Sequence, residues 1–168
     1  ASSSRSTLRR PLPASEAKFD ESAAKYGNVK GLWHGTRPYN LLSIFATGLR
    51  VPGRSEGIHI AGRMFGDGLY FSEQSTKSLN YSRGGTWSSG VDRRCAMLLA
   101  DVVMGWEYRP NLHGSLSGTG YNPVLDGRKK DPKTGKAFNS INVKAGSGGV
   151  RNHEAIVPGP DRDELGYI

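Results

Sequence analysis

The longest apolar run in the chain, Cys95 to Trp106, is broken by Asp101 and is too short to cross a bilayer as a helix. It reads as a strand over Cys95 to Met104, and the other apolar stretches are shorter still. Gly31-Leu32-Trp33-His34-Gly35 reads as a short buried strand ending at a glycine. Leu69-Tyr70-Phe71 and Glu154-Ala155-Ile156-Val157 read as two more, and Glu164 to Ile168 as a last candidate. Helical patterns are fewer. From Ser15 to Tyr26, Phe19, Ala23 and Tyr26 recur at helical spacing, with Ser15 as the expected cap and Gly27 as the stop. Asn40 to Ala46 places Leu41, Ile44 and Phe45 on one face, and Ser75 to Tyr81 makes one or two turns. The strands lack βαβ spacing, so the expected class is α+β with two small, mostly antiparallel sheets flanked by short helices.

A chain of 168 residues is expected to hold one domain, with a core large enough to need no disulfide or metal scaffold. Residues 1–13 are rich in Ser, Arg and Pro and read as a basic arm; 14–168 read as the folded domain. Its 23 glycines are about twice the usual share and follow no collagen period, which implies many turns. Residues 53–68 look irregular, and residues 110–140 look like a long loop with little regular structure. One cysteine, Cys95, excludes an internal disulfide and any C-x-x-C zinc pair, and it starts an apolar strand as an inert buried thiol would. With no recognisable signal segment, an intracellular compartment is expected, and no membrane partner. His59, His113 and His153 show no ligand spacing, so no metal is expected. Trp87 and Trp106 read as core or loop anchors.

The formal net charge is +8. By segment it is +3 over residues 1–30, +3 over 31–125, +5 over 126–151 and −3 over 152–168. The arm and the loop 126–151 therefore form basic patches that can attract nucleic acid or another polyanion. Phe138 alone falls among the late charges in the sequence, where a stacking platform would require several interleaved aromatic residues.

Four clusters could carry chemistry. His34 ends an apolar strand and is followed by Gly35-Thr36-Arg37, so a backbone without a side chain lies beside an imidazole. Met64-Phe65-Gly66-Asp67-Gly68 precedes the aromatic strand of Tyr70 and Phe71. Within Lys77-Ser78-Leu79-Asn80-Tyr81, Ser78 and Tyr81 are three apart and are expected to share a helix face, a hydroxyl beside a ring that could hold a planar amide. Asn152-His153-Glu154 puts one carboxylate at the start of an apolar strand. Each alone is as well explained by ordinary packing.

Taken in order, the clusters say more. Leu32-Trp33-His34-Gly35-Thr36-Arg37, Asn40 with Ile44, Gly48-Leu49-Arg50, Gly62-x-Met64-Phe65-Gly66-x-Gly68-x-Tyr70-Phe71, Lys77-Ser78-x-Asn80-Tyr81, Val102-Val103-Met104-Gly105 and Asn152-x-Glu154-x-Ile156-Val157 together resemble the catalytic domain of the poly(ADP-ribose) polymerase family. The resemblance spans residues 32–168. It implies the diphtheria-toxin-like ADP-ribosyltransferase fold, with NAD as co-substrate gripped between two small sheets and no metal required. It implies a His-Tyr-Glu triad of His34, Tyr70 and Glu154. By the same resemblance, His34 would bond the adenosine ribose, and Gly35 and Ser78 the nicotinamide carboxamide. Tyr70 and Tyr81 would sandwich the nicotinamide ring, Asn40 and Arg50 would line the adenosine side, and Thr36, Phe71 and Lys77 would complete the NAD site. Glu154 would hold the 2′-hydroxyl of the nicotinamide ribose.

The resemblance further implies transfer of ADP-ribose, as single units or chains, to protein acceptors, the chain itself included. The basic patches motivate an alternative in which RNA or DNA is the acceptor. A non-catalytic NAD- or nucleotide-binding module is the alternative from another class, and it would not need Glu154. Three departures stand out. The helical regulatory domain of the DNA-break-responsive members is not expected in the thirty-one residues before Leu32. His153 precedes Glu154 where another residue is common. Pro158-Gly159-Pro160-Asp161 breaks the last strand. Without that regulatory domain, a larger parent chain or an inhibitory partner is expected to restrain the enzyme.

Overall fold

The computed structural model describes residues 13–51, 64–82, 96–110, 121–147 and 150–159. The arm before Pro13, Cys95, Trp87, His59, His113, most of the irregular 53–68 stretch and the candidate strand at Glu164 to Ile168 lie outside them. The elements run α1 (Pro13–Tyr26), β1 (Val29–Thr36), a 3-10 turn (Pro38–Asn40), α2 (Leu41–Thr47), β2 (Leu69–Phe71), α3 (Ser75–Ser82), β3 (Ala96–Val103), β4 (Glu107–Tyr108), α4 (Asn122–Leu125), β5 (Ser140–Val143) and β6 (Glu154–Val157). No described helix is long and apolar enough to cross a membrane.

Two sheets result. β1 and β3 pair antiparallel from Val29↔Val103 to Thr36↔Ala96. The second sheet has the order β2-β6-β5-β4, antiparallel except for the parallel β4–β5 pair. A bridge between Trp33 and Ser72, with two backbone bonds of 2.8 and 2.9 Å, links β1 to the end of β2. The α+β reading with two small sheets therefore holds.

Side-chain alternation builds two cores that share β6. Ala155 and Val157 face a cluster with Leu32, Phe71, Val102 and Met104. Ile156, on the opposite face, joins Phe65, Val124, Leu125 and Ile141. β6 is thus buried on both faces and reads as a continuous apolar run rather than an alternating one.

Several local expectations change. α1 begins at Pro13, so Ser15 lies inside the first turn and is not the cap; proline suits that turn because its missing N–H would have no partner there. Gly27, at φ +67°, does stop the helix, its N–H bonding the Ala23 carbonyl at 3.0 Å. On α2 only Ile44 packs against the core, while Phe45 is half exposed and Leu42 is 82 % exposed. The 110–140 loop is more regular than expected over residues 121–140. α4 buries Val124 and Leu125, and a turn closed by the Lys130–Ala137 bridge leads into β5. Trp106 is a surface loop residue, 38 % exposed.

The open end of the β1–β3 sheet is tied to the second sheet by Glu107. Its carboxylate pairs with Lys30 at 2.6 Å and Arg109 at 2.9 Å, and accepts from the Asn28 amide at 3.2 Å. Burial alone would raise its pKa. Hydrogen bonds from Lys30, Arg109 and Asn142 outweigh that and hold it down to about 2. Because the folded value is depressed, the stabilisation is full above the ordinary carboxylate range and is lost as pH falls toward 2. Glu107→Gln is therefore expected to lower the denaturant midpoint at neutral pH and to flatten its dependence between pH 4.5 and about 2, read by urea titrations across that range.

Candidate active site

The Trp33–Ser72 bridge sets the site. It places His34, on β1, beside the end of β2, and the imidazole lies 5.4 Å from the Phe71 ring, centroid to centroid. His34 Nδ1 is 2.9 Å from the Tyr70 carbonyl, which can only accept, so Nδ1 carries the proton and Nε2 presents a lone pair. Burial lowers the His34 pKa, and nearby Lys77 lowers it further, while the bond to Tyr70 opposes both. A neutral imidazole with an accepting Nε2 suits a ribose hydroxyl donor.

Gly35 explains how α3 reaches this sheet. A Cβ at that position would stand 1.8 Å from the Ser78 carbonyl oxygen, so only glycine lets the helix backbone approach β1 this closely. Ser78 is buried and donates its hydroxyl to the Trp33 carbonyl at 3.0 Å; Ser82, one turn on, donates to the Ser78 carbonyl at 2.9 Å. The buried face of α3 is therefore Lys77, Ser78 and Ser82. Tyr81 stands at its margin, 41 % exposed, so the expected common face of Ser78 and Tyr81 is only partly formed.

Lys77 reaches across to β6 and forms an ion pair with Glu154, with side chains 9 % and 15 % exposed. The same ammonium lies 6.0 Å from the centre of the Tyr70 ring. Burial pushes the Lys77 pKa down to about 7. Tyr70 is fixed at its far end, its hydroxyl accepting from the Phe65 N–H and donating to the Gly66 carbonyl, both at 2.9 Å. Asn40 donates to Thr36 Oγ1 at 3.1 Å, closing the turn after β1. The structure thus brings His34, Gly35, Tyr70, Phe71, Lys77, Ser78 and Glu154 into one seam between the sheets, with Thr36 and Asn40 at its edge. Arg50 lies after α2, exposed.

Two features escaped the sequence reading. His153 sits in a polar network discussed below. The lysines of the late turn do meet aromatic rings, supplied by β4 and the turn before it. Lys129 lies 3.8 Å from the Tyr108 ring centre and Lys136 5.1 Å from that of Trp106. Those faces are covered by cations, so the patch is an electrostatic surface rather than an open stacking platform. Beside it, a cleft of about 450 Å³ includes Trp106, Arg109 and Lys136 in its wall.

Two small sheets meeting along a seam that carries His34, Tyr70 and the Lys77–Glu154 pair fit an ADP-ribosyltransferase fold. Residues 12–154 match the family described as the poly(ADP-ribose) polymerase catalytic domain. A poly(ADP-ribose) polymerase-like protein of Invertebrate iridescent virus 6 is 34 % identical over 155 residues, covering 89 % of this chain and 74 % of the viral protein. Human poly(ADP-ribose) polymerase 2 is 36 % identical over 92 residues, 52 % of this chain and 15 % of that protein. Zebrafish poly(ADP-ribose) polymerase 1 is 31 % identical over 125 residues, 72 % and 12 % of the two lengths. The chain spans only a small part of these two relatives. It belongs to the poly(ADP-ribose) polymerase catalytic-domain family, and so to the NAD-dependent ADP-ribosyltransferases.

The close approach at Gly35 can be checked directly. Gly35→Ala is expected to cost about 1–3 kcal/mol in thermal or urea unfolding, as overpacking does. Gly31→Ala on the same strand, whose added Cβ would meet nothing closer than the Asp101 carboxylate at 3.8 Å, is expected to stay within about 0.5 kcal/mol of the parent.

Proposed function

We propose that this chain cleaves the nicotinamide glycosidic bond of NAD and transfers ADP-ribose to protein side chains, its own included. The observation that carries the reading is the Glu154 carboxylate at the head of β6, 15 % exposed, ion-paired with Lys77 and two residues from Ile156, the partner of Tyr70 in the sheet. NAD already bears a cationic leaving group on a sugar carbon. As that bond breaks, nicotinamide departs neutral with the electron pair, and positive charge develops on the ribose, as in glycoside hydrolysis. A carboxylate fixed in place before the reaction opposes that charge without reorganising, which is where electrostatic catalysis is strongest.

Each neighbour then has a task. The Nε2 lone pair of His34 accepts from a ribose hydroxyl. The Gly35 backbone, free of a side chain, and Ser78 offer the amide-binding edge, although Ser78 must share its hydroxyl with Trp33. Tyr70, held by its hydroxyl, supplies a ring that does not need to be ordered when the substrate arrives. Glu154 also takes the proton of the attacking acceptor as the new bond to the sugar carbon forms. Protein as acceptor, and transfer of single units or chains, belong to this proposal.

A second reading, with RNA or DNA as acceptor, is favoured by the exposed cations Arg128, Lys130, Lys133 and Lys136 clustered on one turn. Adenine-labelled NAD incubated with protein, RNA and DNA separates the two. Label is expected on protein, removed by protease and not by nuclease, and Glu154→Gln is expected to cut it about 10²–10³-fold. Nuclease-sensitive label that falls steeply with salt would favour the second reading. A folded chain that is stabilised by NAD but neither labels nor releases nicotinamide would be a binding module.

A further inference from the structure

His153 directly precedes Glu154 and is buried, at 7 % exposure. All four of its polar groups are engaged. Its N–H donates to Gln74 Oε1 at 2.8 Å, and its carbonyl accepts from Ser72 Oγ at 2.8 Å. On the ring, Nδ1 accepts from the Glu73 N–H at 3.1 Å, so Nδ1 is bare. Nε2 must then carry the proton, which it gives to Asn142 Oδ1 at 3.1 Å. Ser72 Oγ in turn accepts from the Gln74 N–H at 3.0 Å.

This lattice joins two segments about eighty residues apart. One is the turn Ser72–Gln74, which ends β2 and launches α3 with Lys77 and Ser78. The other is the start of β6, where Glu154 follows His153 directly. On the far side of the ring, Asn142 belongs to β5, opposite Ala155. We infer that His153 is a positioning residue: its ring and backbone clamp the head of β6 to the α3 turn and so set where the Glu154 carboxylate stands relative to Lys77 and the substrate. Its catalytic consequence rests on the transferase reading.

The clamp has one electronic requirement. Protonation of Nδ1 would aim an N–H at the Glu73 N–H and remove that bond. Burial keeps the ring neutral to below the ordinary histidine pKa of 6.5; around it, Glu73 and Glu107 favour the charged form, while Lys30 and Lys77 oppose it. Since the folded value is lowered, the clamp is intact at neutral pH and opens on acidification.

The test uses His153→Phe, which keeps ring volume and removes both ring bonds, and His153→Asn, which offers one acceptor in place of Nδ1 and cannot be charged. If His153→Phe does not fold, Asn142→Ala replaces it; it removes the Nε2 acceptor together with the Asn142 bond to Glu107, and Glu107→Gln is the control for that second loss. Three readings are taken. In NAD turnover, His153→Phe should lose at least about tenfold in kcat with KM for NAD changed less than about threefold, the split expected when a catalytic group is misplaced rather than binding lost. The acid limb of the kcat–pH profile should move to lower pH in His153→Asn. In NMR of the unliganded protein, the titration of the Lys77 side chain should shift from that of the wild type by at least half a pH unit in His153→Phe, because its carboxylate partner has moved. A folded His153→Phe or Asn142→Ala variant with wild-type kcat, or with an unchanged Lys77 titration, overturns the inference. A wild-type protein inert toward NAD overturns the transferase reading instead, and the Lys77 titration still decides whether His153 sets the pair.

Discussion

Everything at the site depends on β6 being buried on both faces. The strand pairs antiparallel with β2 on one side and β5 on the other, and its side chains divide between the two cores. A strand in that position has no freedom to slip, because a one-residue shift would exchange every side chain between the cores. Its first residue therefore has a fixed address. That residue is charged, and the chain has answered the desolvation of a carboxylate by bringing Lys77 from α3 to meet it. The arrangement of α3 follows from the same need. The helix can lie against β1 only because Gly35 has no side chain, and its buried face presents Lys77 and Ser78 together.

The pair is poor value as a source of stability. Burying both charges costs several kcal/mol per ion in desolvation, and apolar residues of similar volume are often neutral or stabilising in such places. The depressed pKa of Lys77, down to about 7, expresses that cost. Contrast Glu107, which accepts from Lys30, Arg109, Asn28 and Asn142 at the other end of the sheets and has its acidity raised by such bonds. One carboxylate is held for the fold, the other at the fold's expense. Functional sites are where such local conflicts concentrate.

What could be read from the sequence followed from how local each signal was. β1, β2 and β6 each announce themselves as a short apolar run, and α3 as a short polar helical stretch opening on Ser75. Their order supplied the family, and the comparisons agree with it. β4 and β5 escaped because two and four residues carry too little periodicity, and β5 is embedded beside a lysine- and glycine-rich turn. The caps and exposures of the helices went partly wrong for a similar reason: Phe45 has helical spacing with Ile44 and Leu41, but α2 is a short surface helix with only its Ile44 edge packed. The Lys77–Glu154 pair and the Lys129–Tyr108 contact are long-range, and no spacing rule reaches across seventy-seven or twenty-one residues.

His153 shows how one buried side chain can tie together segments distant in the sequence. Read along the chain, it was only an unusual neighbour of a carboxylate. In the fold it is the meeting point of the end of β2, β5, the head of β6 and the turn before α3, with every polar atom hydrogen-bonded and the Glu73 carboxylate 3.7 Å from Nε2. A residue that supplied fewer contacts would leave the Glu73 N–H or the Asn142 amide oxygen without this partner, and an unpaired polar group in such a place costs about 1–3 kcal/mol. The same geometry that spares the fold that cost also fixes the carboxylate next in the chain. Stability and placement are here one set of hydrogen bonds, and in the transferase reading the family's glutamate keeps its position because its neighbour has no other way to be satisfied.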